Sequence, residues 1–361
     1  MTTQLDRQDA VQLDLAAVEA FYGKVALDQG AAYNAVLAYL GDRLGLWRTL
    51  ASAGAVTSAQ LAERSGLAER YLREWLAAQA VAGYVTYDAA TTSFSLSAEA
   101  AAVLADEDSP VFAAATYEVI SAVWAATDKL ANAYATGEGV AWRDHDPRLY
   151  TGVDRFYGVS YRAHLVQEWL PAVDGLVERL RSGIRVADVG CGLGTATVLM
   201  AEAFPRSTFV GVDSHEESVR RARVAAQGAG VADRVSFEVG DASDHAGGYD
   251  LVCFFDAVHD LGDPVGALAH ARSLLAPGGV VLAVEPYAED RLEDNLANPV
   301  ALPFYAASSC LCVPHSLADG GAALGAQAGP ARLTGAFVDA GFSTARVVAS
   351  TVGNLVIAAW A

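Results

Sequence analysis

The 361-residue chain is 53% hydrophobic and carries a formal net charge of −19. That apolar content supports a large core and excludes a disordered chain, and the length suggests two domains. So acidic a chain weighs against nucleic acid and anionic membrane as partners, because polyanions are gripped by clustered Lys and Arg. An anionic substrate would need a local cation.

No apolar run approaches the ~18 residues of a membrane span. The opening MTTQLDRQDAVQLD has neither a basic start nor an apolar signal core. Cys191, Cys253, Cys310 and Cys312 are too few and too irregular for a disulfide framework or a CxxC zinc site. A cytoplasmic protein is the expectation.

In chain order, residues 15–105 read as mostly helical. Val36, Leu37, Leu40, Leu44, Leu46 and Trp47 repeat at helical spacing between Tyr33 and Leu50. Thr57 or Ser58 is an N-cap candidate for the next helix, Gly66 breaks it, and Glu69–Val81 forms another amphipathic helix. Two β-like runs, 84–87 and 94–97, complete the order of a winged helix. Its Glu69–Val81 helix has only Arg70 and Arg73 as basic residues, so packing or dimerisation is expected there rather than DNA binding. The apolar helices nearer the N-terminus suit a homodimer.

Residues 111–180 read as a helical connector rich in aromatics, among them Trp124, Trp142, Tyr150, Tyr161 and Trp169. Most of these belong in a core, and a few could line a substrate pocket. From Arg185 strands and helices alternate. Strand-length apolar runs at 186–189, 208–212, 235–239, 251–255 and 280–284 predict an α/β, mainly parallel, doubly wound sheet. The runs at 345–350 and 354–360 could close it as an edge hairpin. The expected domains are 1–110, the connector, and 181–361 with a lid insertion near 286–330.

The central signal is Asp188-Val189-Gly190-Cys191-Gly192-Leu193-Gly194, a strand running into a glycine turn with a helix starting near Thr195. Such a turn brings backbone N–H groups close to a ligand, although GxGxG alone is shared by nicotinamide enzymes. Context sharpens it. Asp213, followed by Ser214, ends the next strand, where a carboxylate accepts from both ribose hydroxyls. Gly240-Asp241-Ala242 ends the third, where an Asp can hold an adenine amino group. Asp188 would repel a pyrophosphate but not a cation.

With VGVDS, VGDAS and APGG, this set resembles the class I S-adenosylmethionine (SAM) dependent methyltransferases over about residues 180–361. GDRLGLW, the winged helix, YRAHLVQEWLPAVDG, FFDAVHDLGDP and LGAQAG extend the resemblance to actinobacterial small-molecule methyltransferases with an N-terminal winged helix. The resemblance implies a Rossmann-like fold and a SAM site formed by Asp188, Gly190, Gly192, Asp213, Ser214, Gly240, Asp241, Ala242 and Phe255.

Phe255 ends a strand whose following loop carries His259 and Asp260, placed where open α/β sheets bind ligands. His259 reads as a general base for a hydroxyl or amine, or as a loop histidine ordering the strand end. His315, in the lid, adds a second imidazole. His259, Asp260 and His315 make a three-ligand facial set for a divalent metal, zinc or iron, with positions open for a chelating substrate. The constellation resembles the metal-dependent C-methyltransferases that act on the β-carbon of α-keto acids in nonribosomal peptide pathways. That resemblance implies an enolate stabilised by the metal as a Lewis acid, with an apolar keto acid derived from leucine or phenylalanine as substrate. Arg155 or Arg162 is a candidate for the substrate carboxylate. Glu285, a connector tyrosine or a metal-bound water is the candidate enolising base. The alternative is a metal-free O- or N-methyltransferase with His259 as base.

Overall fold

The computed structural model describes residues 13–361. The N-terminal segment read above as lacking a secretion signal lies, but for its last two residues, outside the described residues. The chain divides into two compact units, the first ending at Asp106 and the second starting at Glu107. Among the described residues no helix is long and apolar enough to cross a membrane.

The first unit begins with α1 (Leu15–Arg43), capped by the Asp14 carboxylate, which accepts from the Ala16 and Ala17 amides. The helical spacing seen through Leu50 is interrupted at Gly45, whose φ of 69° starts a second helix, α2 (Leu46–Ala53). Next come α3 (Ser58–Ser65) and α4 (Glu69–Val81), then strands β1 (Thr86–Asp88) and β2 (Ser93–Ser95) and helix α5 (Ala98–Leu104). Thr57 caps α3 in a reciprocal box with Gln60. β1 and β2 pair as an antiparallel hairpin, completing the winged helix. Trp47 and Trp75 lie 4.8 Å apart, and their indole N–H groups donate to the Ala38 and Leu37 carbonyls of α1. On α4, Arg70 and Arg73 are ion-paired with Glu74 and Glu69.

The second unit opens with α6 (Ala115–Ala125), α7 (Thr127–Thr136) and α8 (Arg148–Ser160), continued by a π-helical stretch, Tyr161–Trp169, and by α9 (Leu176–Ser182). Then follow β3 (Arg185–Val189), α10 (Thr195–Ala203), β4 (Thr208–Asp213), α11 (Glu216–Gly228), β5 (Val235–Val239), β6 (Tyr249–Phe255), α12 (Pro264–Ser273) and β7 (Leu275–Pro286). Short helices α13 (Leu292–Asn295), α14 (Ala301–Cys310) and α15 (Cys312–Ala318) fill the insertion, and α16 (Gly329–Asp339), β8 (Thr344–Ser350) and β9 (Asn354–Trp360) end the chain.

The seven strands run in the order β5-β4-β3-β6-β7-β9-β8. β3 to β7 are parallel, and β9 and β8 close the edge antiparallel, as the two final apolar runs suggested. Both sheet faces are covered, which is why the central strands are apolar throughout rather than alternating. Leu165, Trp169, Met200 and Phe204 pack on one face, and Leu268, Leu333 and Phe337 on the other. The order reverses between β3 and β6, so their carboxyl ends open a crevice. This is the α/β methyltransferase fold.

Candidate active site

Three glycines, Gly190, Gly192 and Gly194, link β3 to α10 at φ of 74°, 52° and 83°, a left-handed path that a side chain would strain. The Gly192 amide donates to Asp213 Oδ2 (2.8 Å) and the His215 amide to Oδ1 (2.9 Å), so the Asp213 carboxylate pins the turn to the end of β4. Burial pushes Asp213 above the ordinary carboxylate range, against the pull of these two amides. Gly240 donates to the Asp213 carbonyl, and Asp241 accepts from the Ser243 amide and hydroxyl on the exposed rim beside Ala242. Phe255 is buried and lies against Tyr161 rather than open to the crevice.

Asp188, one residue before the end of β3, is 1% exposed. Its Oδ2 accepts from the Thr197 hydroxyl, while Oδ1 has no hydrogen-bond partner. Burial is the main reason its pKa is pushed up to about 7. An orphaned buried carboxylate oxygen beside a glycine turn and a helix start fits the cationic end of the cofactor expected from the sequence. Tyr150, on α8, stacks on His215 with ring centroids 4.0 Å apart, beyond what sequence spacing revealed.

The acceptor side is built on the loop after β6. Glu285, fully buried at the end of β7, reaches across to it. Its Oε1 accepts from the Val258 amide (2.9 Å), and its Oε2 from the His259 amide (3.2 Å) and from His259 Nδ1 (2.6 Å). Several donors converging on two oxygens suit a carboxylate. Burial works against a charged imidazole, but Cys312 and Glu285 beside it outweigh that and hold His259 well above the ordinary histidine range. The imidazolium is therefore the favoured form; once its outer proton is lost, Nδ1–H stays with Glu285 and the lone pair lies on Nε2. Glu285 was read only as an enolising base. Its partnership with His259 needs the registry of adjacent strands, Phe255 opposite Val284, which no local motif displays.

The expected metal set is corrected here. Among the described residues no group of three His, Cys, Asp or Glu side chains is disposed to hold a metal ion. Asp260 Oδ2 accepts from the Trp142 indole at 3.0 Å. His315 packs edge-on against the same indole, ring centroids 5.9 Å apart. Trp142 thus binds Asp260 and packs on His315, and the three residues do not form a group that fits the metal. The two expected arginines are also committed: Arg155 to Glu118 and Glu107, and Arg162 to the Glu107 carbonyl.

Residues 180–315 match the family model described as a methyltransferase domain, and residues 32–106 match the Rv2258c-like winged HTH domain. The trans-aconitate 2-methyltransferase of Deinococcus radiodurans is 33% identical over 120 residues, a third of this chain and 45% of that one. The chain thus spans less than half the length of that curated relative. Among solved structures, the mitomycin 7-O-methyltransferase MmcR superposes with a TM-score of 0.68 at 20% identity, covering 96% of this chain and 100% of the other. CalO1, a methyltransferase in calicheamicin biosynthesis solved with SAH bound, gives a TM-score of 0.64 at 23% identity, covering 97% and 100%. These likenesses extend the fold beyond the methyltransferase domain to the winged helix.

Proposed function

We propose that the chain is a SAM-dependent methyltransferase that methylates a hydroxyl group of a small molecule, with His259 as general base. The observation that carries this reading is the buried His259–Glu285 pair at the crevice. The relatives named above add support, two of the three being described by O- or natural-product methylation.

The glycine turn with Asp213 would hold the adenosyl part of the cofactor, the rim at Gly240, Asp241 and Ala242 its base, and Asp188 its cationic end. Bound SAM supplies an electrophilic methyl group on a sulfonium. Glu285 fixes the ring through Nδ1, and in the deprotonated form Nε2 would take the hydroxyl proton as the oxygen gains its bond to the methyl carbon and the sulfur–methyl bond breaks to leave a thioether, so that turnover rises with pH. Trp142, bound to Asp260, and Tyr157, stacked on Tyr161, bring aromatic surface close to the acceptor loop, which suits an aromatic or otherwise apolar acceptor. The Glu285 carboxylate then stabilises the imidazolium until the proton leaves to solvent.

The α-keto acid reading has less support, since its metal donors and its arginines are engaged elsewhere. A single experiment separates the two. Protein treated with a chelator is given SAM carrying a 13C methyl group and a mixture of phenols and phenylpyruvate, and the bond made is read by NMR. A methyl ether formed after chelation is the expected result. A methyl on carbon, formed only when a divalent ion is restored and lost in His315→Ala, would overturn it. The exposed apolar residues of α1, taken up below, extend the proposal to a homodimer.

A further inference from the structure

Trp142 opens the 3-10 turn Trp142–Asp144 between α7 and α8, and its indole N–H reaches Asp260, the residue after His259. Rings from separate elements lie against that indole. His315 of α15 is 5.9 Å away between centroids, Tyr150 of α8 is 6.1 Å away, and His145, just after the turn, is 6.4 Å away. Main-chain packing sets this arrangement. The Val140 amide donates to the Pro314 carbonyl at 2.9 Å, next to His315. A Cβ on Gly139 would run into the Pro314 carbonyl and the Ala318 amide, so only glycine lets the two segments approach so closely.

These rings share unmet hydrogen bonding. Both ring nitrogens of His145, Nδ1 of His315 and the Tyr150 hydroxyl are buried without a hydrogen-bond partner among the described residues. His145 as a whole is 7% exposed. Unpaired buried polar atoms are costly and uncommon, so four of them around one indole point to a ligand that pairs them. Their chemistry restricts that ligand. Burial, then the Lys129 charge, holds His145 below the ordinary histidine range, and a neutral imidazole offers one donor and one acceptor. Asp260 on the same indole opposes an anion. A neutral oxygen function meets the donors without a charge to bury.

We infer that His145, His315 and Tyr150, arrayed on Trp142, form a subsite for a second, neutral oxygen substituent of the acceptor, a carbonyl or a hydroxyl. The acceptor class narrows from an apolar phenol to a hydroxyaryl ketone or diol. The inference rests on the methyltransferase reading.

Calorimetry on the full chain loaded with S-adenosylhomocysteine tests it with matched pairs. The 2-, 3- and 4-hydroxyacetophenones are set against the ethylphenols of the same pattern, which lack only the carbonyl oxygen. The three hydroxybenzoates are the anionic controls. At least one ketone is expected to bind about tenfold more tightly than its ethyl partner, with the matching hydroxybenzoate showing no gain. His145→Phe, which keeps a buried ring, removes that preference and leaves the affinity for S-adenosylhomocysteine unchanged. His315→Phe, on a different element, lowers it, so a folding defect in one variant does not decide the outcome. No ketone favoured over its ethyl partner, a hydroxybenzoate bound most tightly, or a preference that survives both variants overturns the inference and leaves the methyltransferase reading in place. Wild-type protein that does not bind S-adenosylhomocysteine defeats that reading, and the inference with it.

Discussion

At the residue scale, the buried carboxyl of Asp188 gives the site a pH signature. Its pKa of about 7 in the free protein means that it carries a proton below neutrality. A bound cation favours the charged form, so SAM binding releases that proton, and affinity rises with pH before levelling above about 7. Between pH 6 and pH 8 the ionised fraction grows about tenfold, and the dissociation constant of SAM falls by about that factor. Titrations at several pH values check this, and Asp188→Asn flattens the profile. Much of this site is legible in the sequence because it is local. The glycine turn, Asp188 and Asp213 occupy one strand–turn–helix and the next strand end, and the structure brings them together. The acceptor side is assembled from β6, β7, the π-helical stretch and α15. Glu285 on His259, Tyr161 on Asp256 and Trp142 on Asp260 and His315 are long-range contacts without a spacing rule. The expected metal set fails for that reason, because convergence was inferred from residue types without the contacts that engage Asp260 and His315.

At the scale of elements, strand positions were read closely from apolar runs, since strands buried on both faces leave continuous apolar stretches. The helix expected through Leu50 misses its break because Gly45 carries no side chain to disturb the spacing. Inside α1 two glycines play opposite parts. A Cβ on Gly41 would come within 2.6 Å of the Trp47 ring and 2.8 Å of Trp75, so the two indoles require glycine there. Gly30 has nothing within 4 Å. Gly41→Ala is expected to destabilise the winged helix by about 1–3 kcal/mol through overpacking. Gly30→Ala is expected to stabilise α1 by about 0.5–1 kcal/mol through helix propensity. Chemical denaturation of the full chain, followed by tryptophan fluorescence, measures both.

At the scale of the molecule, α1 carries apolar side chains that the described residues leave uncovered. Phe21, Leu27 and Tyr33 are 68%, 77% and 80% exposed. The helix has 29 residues, about 43 Å of length, and its first half is exposed on every side. An isolated helix is marginal in water, and large apolar patches mark association surfaces. A second copy of the chain, pairing through α1, is the expected cover. Analytical ultracentrifugation is expected to give a dimer for the wild type and a monomer for the Phe21→Glu, Leu27→Glu double variant. A monomeric wild type would remove this assignment without touching the chemistry.

The central claim is that His259, oriented by Glu285, removes the acceptor proton. Its most direct test is turnover of the best hydroxyl acceptor by His259→Ala, with the affinity for S-adenosylhomocysteine measured on the same protein. The account predicts a loss of roughly 10²–10⁴-fold in kcat with cofactor affinity unchanged, and an intermediate loss for Glu285→Gln. His259→Ala turning over at the wild-type rate would contradict it.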